Sequence, residues 1–415
     1  MNVTQEYKQT EFGPIPSDWI LCTFQDVLVT FSSGATPYRG IPEYYKGNVR
    51  WISSGELNYN KIFDTVEHIS QQAVRNTNLR VHQPGTFLMA ITGLEAEGTR
   101  GRCAFVGAPA TTNQSCLAIN GTEKMCTEYL FWFYRMWGQY LAFKYCQGTK
   151  QQSYTASIVR NLPIYGPKDI AEQRAIAEAL SDIDGLNAAL DKKIAKKRLI
   201  KQGAMQQLLT GKKRLPGFTD PWVEKRLGEI GVWVKGQSLS KNDIIPNGKN
   251  ICIHYGELFS YGEVITLPVS RTNCQPTTIS LGNEILFPDS DVTPDGLGRC
   301  SALLIKGVII GSGINVLRHK PLYDTSFVSY SININRSKII DRVTGTTVKH
   351  INSKELSEIM INIPKNKEEQ TAIATILSDM DKEIADLEAK RDKYRLLKSG
   401  MMQKLLTGQI GLKTK

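Results

Sequence analysis

Paired cysteines and clustered histidines are missing from this sequence, and their absence excludes two kinds of protein. The eight cysteines are scattered over 415 residues without any Cys-x-x-Cys spacing, and the five histidines lie apart from one another. A structural zinc site needs several such ligands at close spacing, so none is predicted. A chain of this size also needs no disulfide framework, and we expect reduced thiols in a cytoplasmic protein.

Long apolar runs are missing as well. The longest one, residues 129–146, is interrupted by Arg135, Gln139 and Lys144, so no transmembrane helix is predicted. The first eight residues lack the basic and then apolar layout of a signal peptide. A content of 41% hydrophobic and 22% charged residues excludes disordered and collagen-like chains. We therefore expect a folded protein of two or three domains, with no membrane span.

Sequence motifs of catalytic sites are also missing. Gly248-Lys249 lacks the upstream glycine of a phosphate-binding loop, and Gly311-Ser312-Gly313 is only a fragment of a dinucleotide-binding loop. No Gly-x-Ser-x-Gly nucleophile motif and no Asn-Pro-Pro-Tyr-type motif occur. The aspartates at 289, 291 and 295 fit an acidic glycine-rich loop better than a metal site. The sequence predicts no catalytic residue, no cofactor and no metal ion for this chain.

Positive charge is present in excess. Lys and Arg number 51 against 40 Asp and Glu, which gives a formal net charge of +11. An excess of this size favours a polyanionic partner, namely DNA, RNA or an anionic membrane surface. Composition alone does not choose among them.

The chain is also duplicated. At an offset of 197 residues, the block 164–211 falls on the block 361–408 without a gap, and 26 of the 48 positions are identical. Weaker matches lie upstream, such as Gly101-Arg102-Cys103 with Gly298-Arg299-Cys300, and the offset drifts to 201 where Ser54–Leu57 meets Tyr255–Leu258. The chain therefore consists of two repeats, each with a variable globular part followed by a well-matched part.

The well-matched part is predicted to be a long helix. Apolar residues recur at alternating steps of four and three, as in Ile176, Leu180 and Ile183 of the first copy. Such a stripe over some 40 residues, about 60 Å of helix, must be buried, and the other copy is the expected partner in an antiparallel coiled coil. Lysines on the stripe, such as Lys201 and Lys398, indicate polar contacts or cover by another subunit. Helices of two ordinary globular domains are the alternative.

The variable parts are predicted to be rich in sheet. Short β-branched or aromatic segments bounded by Gly and Pro predict strands within residues 47–52, 85–91, 107–119 and 306–317. A buried aromatic helix is predicted at 129–145, with a weaker counterpart at 325–341. The fold class is therefore α+β, with two pseudo-symmetric repeats that each join a sheet-rich domain to a long helix. The predicted domain limits are 1–163, 164–211, 212–360 and 361–415.

These segments resemble one family closely, the specificity (S) subunit of type I restriction-modification systems. The resemblance covers nearly the whole chain and rests on Phe12–Trp19, Trp51–Leu57, Lys235–Ser240, His254–Leu258 and the two blocks that end in Leu-Leu-Thr-Gly. It implies two target-recognition domains that each read one half of a bipartite target in double-stranded DNA. It also implies that the paired helices fix the spacing between the half-sites.

The resemblance implies further that the chain itself is not an enzyme. Two methyltransferase subunits dock on it and carry S-adenosylmethionine, and restriction/translocase subunits carry ATP. Two alternatives from other classes stay open. An enzyme with two fused active domains would show activity with S-adenosylmethionine or a metal. A coiled-coil scaffold or RNA binder would bind unrelated duplex equally well at moderate salt.

Candidate DNA-contacting residues were chosen because base and phosphate contacts need donors, acceptors and cations on loops. The two matched arginines among them, at 102 and 299, are expected to share one task, either a phosphate contact or an internal salt bridge. The basic stretch 192–214 fits contact with phosphate, contact with a partner, or a solvated helix face. The candidates are Thr36, Tyr38, Arg39, Lys46, Ser53, Ser54, Arg100, Arg102, Lys150, Gln151, Gln152, Lys235, Gln237, Lys241, His254, Tyr255, Arg271, Arg299 and Lys349.

Overall fold

A computed structural model describes residues 6–412, and the chain divides into two compact units. Unit 1 contains the residues up to Ala189 together with those from Lys390 onward, and unit 2 is Leu190–Ala389. No helix within residues 6–412 combines the length and the apolar character needed to cross a lipid bilayer.

Unit 1 is built from short strands and one long aromatic helix, with 3₁₀ turns at Pro42–Tyr45 and Ser54–Glu56. Its strands are β1 (Tyr7–Thr10), β2 (Gly13–Pro16), β3 (Ile20–Thr23), β4 (Leu28–Ser33), β5 (Val49–Ile52), β6 (Lys61–Ile62), β7 (His68–Ile69), β8 (Phe87–Ala90), β9 (Cys103–Val106), β10 (Ala110–Thr112), β11 (Cys116–Gly121) and β12 (Pro163–Gly166). Its helices are α1 (Phe24–Val27), α2 (Gln71–Asn76), α3 (Thr127–Tyr145), α4 (Ala156–Arg160) and the first part of α5 (Ile170–Leu208).

The core of unit 1 lies between its larger sheet and α3. This sheet has five strands in the order β4-β11-β8-β9-β6, and a three-stranded sheet has the order β10-β5-β7. The strand residues Phe87 and Phe105 contact Tyr134 and Phe131 of α3, with ring centroids 5.6 and 4.6 Å apart. Because α3 is apolar on nearly every side through its first two turns, it is buried rather than exposed on one face. The aromatic helix predicted at 129–145 is confirmed.

Unit 2 repeats this plan with shorter helices and with 3₁₀ turns at Lys241–Asp243 and Tyr255–Phe259. Its strands are β13 (Val223–Arg226), β14 (Gly231–Lys235), β15 (Asn250–Ile253), β16 (Val264–Ile265), β17 (Arg271–Thr272), β18 (Ile279–Leu281), β19 (Glu284–Pro288), β20 (Ser290–Asp291), β21 (Ser301–Leu303), β22 (Lys306–Ile310), β23 (Ile314–His319), β24 (Lys349–His350) and β25 (Met360–Ile363). Its helices are α6 (Leu227–Ile230), α7 (Pro294–Leu297), α8 (Thr325–Asn333), α9 (Ser337–Ile340), α10 (Ser353–Ser357) and α11 (Lys367–Leu406), of which the last part belongs to unit 1.

The strand order of unit 2 shows that the two variable parts share one fold. Its five-stranded sheet has the order β14-β23-β19-β21-β16, which matches the order in unit 1 strand for strand. A second sheet has the order β17-β15-β22-β18. The strands predicted at 306–317 are present as β22 and β23, and the weaker helical segment predicted at 325–341 is present as α8 and α9.

The two long helices begin a few residues later than the matched blocks. Ile164 and Ile361 lie in strands, because β12 pairs with β3 and β25 pairs with β13 before either helix starts. Each helix ends two or three residues before a matched glycine. Gly211 and Gly408 have φ of +69° and +70°, the left-handed conformation that closes a helix and that side chains disfavour.

Within each unit the long helices run antiparallel and are joined by an ion pair at matched positions. In unit 2, Lys201 of α5 contacts Asp381 of α11 at 2.5 Å, and in unit 1 Lys398 of α11 contacts Asp184 of α5. The offset of 197 converts one pair into the other. Lys201 also contacts Glu263 at 3.0 Å, whereas in unit 1 it is Asp184 that has a second partner, Arg135 at 3.0 Å. The lysines on the apolar stripe therefore make polar contacts, as one of the predicted explanations required.

A buried glutamine at matched positions fastens the start of each long helix. The Gln173 Oε1 accepts from the Cys126 backbone at 2.9 Å, and the Gln370 Oε1 accepts from the Asp324 backbone at 2.9 Å. Their amide nitrogens donate to the carbonyls of Pro167 and Pro364. Cys126 and Asp324 are the N-caps of α3 and α8, so each glutamine ties a long helix to the helix of the neighbouring sheet domain.

Replacing Gln370 with leucine is expected to lower the free energy of unfolding by about 2 kcal/mol, because it strands a buried N–H and a buried carbonyl. Urea unfolding followed by tryptophan fluorescence measures this loss. Gln206→Leu on an exposed helix face is the control, with an expected change within about 0.5 kcal/mol. Equal stability of the two variants would contradict the proposed role of Gln370.

Candidate functional site

Three backbone hydrogen bonds bring several loops of unit 1 together at one end of its sheets. The Asn113 N–H donates to Ile52 at 2.9 Å, the Ile91 N–H to Ser115 at 2.9 Å, and the Tyr154 N–H to Ile91 at 2.8 Å. These bonds join the ends of β5, β8 and β10 to the segment before α4. We call these loops the loop cluster of unit 1.

The same three bonds occur in unit 2. The Gly311 N–H donates to Ile253 at 2.9 Å, the Asp289 N–H to Gly313 at 3.0 Å, and the Ile351 N–H to Asp289 at 3.0 Å. Every donor and acceptor is the repeat equivalent of its counterpart in unit 1. The loop cluster of unit 2 is thus built on the same backbone frame.

Each loop cluster contains a tight loop closed by an isolated bridge. Gln147 pairs with Ser153 in unit 1, and Thr344 pairs with His350 in unit 2. Gly148 and Gly345, with φ of +103° and +102°, make the turn possible, because a Cβ there would lie 2.2 and 2.1 Å from a carbonyl oxygen of the loop. We call these loops the tip loops. Their exposed residues differ, since unit 1 has Thr149-Lys150-Gln151 and unit 2 has Thr346-Thr347-Val348.

Seven of the eleven candidates from the first repeat lie in or beside the loop cluster of unit 1. The Thr36 hydroxyl donates to the Gln114 side chain at 2.6 Å. Arg100 donates to the carbonyls of Leu94 and Glu95 at 2.8 and 2.9 Å, and the Gln152 N–H donates to the Glu95 carboxylate at 2.8 Å. The seven are Thr36, Ser53, Ser54, Arg100, Lys150, Gln151 and Gln152.

Some of these seven side chains are held by hydrogen bonds within the protein, and others are exposed to solvent. The Ser53 hydroxyl donates to Glu56 at 2.8 Å and caps the 3₁₀ turn that contains Ser54, and Arg100 stiffens the loop beneath it. Lys150 and Gln151 are exposed at the tip. The tip-loop side chains are therefore better placed to reach a ligand than Ser53 or Arg100.

Tyr38, Arg39 and Lys46 lie on a separate segment of unit 1. Arg39 forms a two-pronged ion pair with Glu67 at 2.6 and 2.8 Å and covers the ring of Tyr45, with 4.2 Å to its centroid. Lys46 pairs with Glu43 at 3.3 Å. Tyr38 is 73% exposed.

The matched arginines Arg102 and Arg299 perform one internal task. Arg102 donates to the Asn58 side chain, and Arg299 donates to the carbonyls of Leu258 and Phe259 at 3.2 and 2.7 Å. Arg102 thereby holds the segment that follows the 3₁₀ turn of unit 1, and Arg299 holds the end of the equivalent turn of unit 2. In both cases the acceptor is a neutral oxygen, so these contacts are internal hydrogen bonds and not the expected salt bridge.

Five of the eight candidates from the second repeat meet at the loop cluster of unit 2. Lys235 contacts Asp289 at 3.4 Å, the Tyr255 hydroxyl donates to the Ser290 carbonyl at 2.9 Å, and His254 caps a 3₁₀ turn. The Lys349 Nζ donates to two carbonyls of the tip loop, at 2.7 and 3.0 Å. The five are Lys235, Gln237, His254, Tyr255 and Lys349.

The Gln237 side chain is already hydrogen-bonded within the protein, to the loop at residues 275–278. Its side-chain oxygen accepts from the backbone of Thr277 and Thr278 at 2.6 and 2.8 Å, and its nitrogen donates to Gln275 at 2.9 Å. Lys241 and Arg271 lie apart from the loop cluster, on a neighbouring exposed segment. The Arg271 side chain donates to the Gly248 carbonyl at 3.3 Å.

Sequence reasoning missed a pair of glutamates that organise both sites. Glu56 accepts from Ser53 and from the backbone of Val66, and Glu257 accepts from the backbone of His254 and the hydroxyl of Ser270. The matched Gly-Glu-Leu triplets that contain them were visible in the sequence. A search for donors to DNA passed them over, because a carboxylate serves here as an acceptor for the protein itself.

The basic stretch 192–214 is occupied in part by ion pairs. Lys197, Lys201 and Arg214 contact carboxylates within unit 2, at 2.7, 2.5 and 2.6 Å, and Arg198 contacts Glu388. Within residues 6–412, no group of three or more His, Cys, Asp and Glu side chains is arranged to hold a metal ion. Trp19 and Trp51 are buried, at 3% exposure each, and so belong to the core.

Comparison with known proteins gives one consistent answer. A family model described as "Type I restriction modification DNA specificity domain" matches residues 16–197 and again 219–394. Two specificity subunits of Methanocaldococcus jannaschii, MjaX and MjaVIII, are 26% and 22% identical, over 99% of this chain and 98% of each relative. A crystal structure of the S subunit of a type I restriction-modification system from M. genitalium covers all of both chains with a TM-score of 0.66 at 16% identity, and it shares the fold. Because the family model covers most of the chain in two copies, this chain belongs to the family of type I restriction-modification specificity subunits.

Proposed function

We propose that this chain determines the DNA sequence on which a type I restriction-modification complex acts. One observation carries the proposal: two loop clusters share a backbone frame bond for bond, yet their tip loops carry different side chains. A shared frame with different tips is what a reader of two unlike half-sites needs. A second candidate function is not favoured by any contact in either unit.

The chemistry of the tips fits base reading. Lys150 and Gln151 offer a cation and an amide, the groups that recognise guanine and adenine edges in the major groove. In unit 2 the exposed tip offers hydroxyls and the Val348 side chain, which suits contact with the thymine methyl group. The net charge of +11 supplies attraction to the phosphate backbone without sequence preference. All nineteen candidate residues stay proposals, with the tip loops first among them.

The long helices are proposed to form one antiparallel coiled coil that separates two target-recognition domains. The proposed domains are 1–163 and 212–360, joined to helical regions 164–211 and 361–415. Ion pairs between the helices in each unit support this arrangement, because their matched positions fix the helix register. A rigid separation would set the number of unread base pairs between the half-sites.

Catalysis is proposed to reside in partner subunits in the cytoplasm: two methyltransferase subunits, and restriction/translocase subunits that use ATP. The long helices supply a surface for the two copies, because Leu199 and Leu396 occupy matched positions and are 69% and 76% exposed. Their neighbours Ile200 and Leu397 are 47% and 50% exposed. Matched exposed apolar pairs suit two copies of one protein partner.

Changing the unit 1 tip, by Lys150→Ala with Gln151→Ala, is expected to relax only one half-site of the methylated sequence. Losing a good base contact costs about 1–3 kcal/mol of discrimination, so the wrong base at one position should become roughly tenfold to hundredfold more acceptable. Sequencing of methylated adenines across a genome measures both half-sites at once. Thr347→Ala in the other tip loop is the matched variant, and it should affect only the other half-site.

A uniform loss of methylation at all sites, with the fold intact, would contradict base reading by the tip. Binding that unrelated duplex competes away at moderate salt would instead support a scaffold without sequence specificity.

A further inference from the structure

Val66 and Val269 are exposed valines at equivalent places in the two units. They are 88% and 71% exposed. Each lies four residues after a short strand that pairs in parallel with the sheet, where Ile62 faces Val106 and Ile265 faces Leu303. The residue after each valine accepts a backbone hydrogen bond from the equivalent strand, from Trp51 at 3.3 Å and from Cys252 at 2.9 Å. The two loops are thus the same structural element.

Both loops are held in place by the matched glutamates. The Glu56 Oε1 accepts from the Val66 N–H at 3.0 Å, and the Glu257 Oε1 accepts from the Ser270 hydroxyl at 2.9 Å. The other oxygen of each carboxylate caps the neighbouring 3₁₀ turn. A β-branched side chain on a fixed loop loses little conformational freedom when a partner covers it.

The charges around Val66 are largely paired, whereas the exposed Arg271 lies two residues after Val269 and donates to the Gly248 carbonyl at 3.3 Å. In unit 1, Arg39 pairs with Glu67 at 2.6 Å, and Arg50 and His68 both contact Asp64, at 3.4 and 2.9 Å. In unit 2 the preceding residues are Thr266, Leu267 and Pro268, and Leu267 is 68% exposed. Phosphate binding needs unneutralised cations, whereas a protein contact favours exposed apolar side chains with few charges.

A comparison of the two units indicates which partner the tip loops and the valine loops each meet. The tip loops differ between the units, as expected where each unit meets a different DNA sequence. The exposed valine is the same in both units although its neighbours differ, with Thr65 and Glu67 in unit 1 and Pro268 and Ser270 in unit 2. An apolar side chain kept at this one position is expected where both units meet the same molecule.

We propose that Val66 and Val269 are matched docking contacts for two copies of one protein partner, one copy on each unit. The inference rests on the proposed function, which makes that partner the methyltransferase subunit. Each copy would then contact its unit through this valine as well as through the exposed apolar pair on a long helix.

The test uses Val66→Asp, Val269→Asp and the double variant, mixed as full-length chains with the methyltransferase subunit. Native mass spectrometry counts the bound copies, and titration gives the affinity. A buried aspartate at a contact should weaken the affected copy by about tenfold or more. Each single variant should therefore keep one tightly bound copy, and the double variant none.

Val292→Asp is the control. Val292 is 73% exposed in unit 2, but its equivalent in the shared backbone frame is Leu94, which is buried, so Val292→Asp should leave both copies bound. Two tightly bound copies on the double variant would overturn the inference and leave the proposed function intact. Unchanged subunit binding with weaker binding of DNA by the isolated chain would also overturn it, and would assign the valines to DNA. Failure of the unaltered chain to bind any methyltransferase subunit would refute the proposed function itself.

Discussion

Replacing Lys201 with methionine is expected to lower the free energy of unfolding of unit 2 by about 3 kcal/mol, because two carboxylates lose their shared cation. The Lys201 side chain is only 11% exposed and contacts Asp381 and Glu263 at 2.5 and 3.0 Å. The Tyr330 hydroxyl donates to Asp381 at 2.7 Å, and burial together with that hydrogen bond raises the pKa of this phenol far above its usual value. Tyr330 therefore stays a neutral phenol that donates to Asp381, and a neutral donor does not replace the missing positive charge. Urea unfolding of the full chain measures the loss.

Two further variants separate the lost ion pair from the loss of packing. Lys196→Met changes an exposed lysine on the same helix, and it should alter stability by no more than about 0.5 kcal/mol. The double variant Lys201→Met with Asp381→Leu should lose less free energy of unfolding than the two single variants lose in sum, because contacting residues are coupled by about 0.5–3 kcal/mol. Additive losses would show that the two charges act independently, against the role given to the pair.

For the matched ion pairs, the duplicated sequence predicted the helices and the unusual lysines but not the partners of those lysines. Heptad spacing predicted the helices and flagged Lys201 and Lys398 as polar residues on an apolar stripe. Their acceptors, Asp381 and Asp184, were aligned in the sequence but were not assigned as partners. Each lysine contacts the aspartate of the other repeat, and this partner follows only once the register between the two helices is known.

At the candidate site, the backbone of the tip loops was likewise predictable from the sequence, but the side-chain contacts were not. The glycine at the start of each tip loop was a visible repeat match, and it marks a backbone conformation that both units require. Side-chain engagement was not predictable, because Arg39 and Gln237 resemble Lys150 and Gln151 in chemistry. The structure ties Arg39 to Glu67 and Gln237 to a neighbouring loop, contacts that depend on segments distant in sequence. Donor chemistry alone therefore overestimates the number of residues free to meet DNA.

Deleting one heptad from both long helices together, residues 187–193 and 389–395, is expected to abolish methylation at the present half-site spacing. Each deletion removes seven residues between the two matched pairs, so the pairs Lys201–Asp381 and Lys398–Asp184 keep their register. Seven residues shorten a helix by about 10 Å. This length corresponds to roughly three base pairs, so a rigid coiled coil could no longer hold both domains on their half-sites.

The deletion distinguishes a ruler from a passive tether. A flexible connection would tolerate a loss of about 10 Å, because the domains would still reach their half-sites, and the methylated sequence would keep its spacing. Replacing the same heptads with others of equal length and apolar pattern controls for sequence, and it should leave the spacing unchanged. Circular dichroism and retained subunit binding establish that the shortened chain folds. A folded, shortened chain that still supports methylation at the original spacing would refute the ruler. If the shortened chain loses that spacing and the equal-length replacement keeps it, then helix length, and not helix sequence, sets the distance between the half-sites.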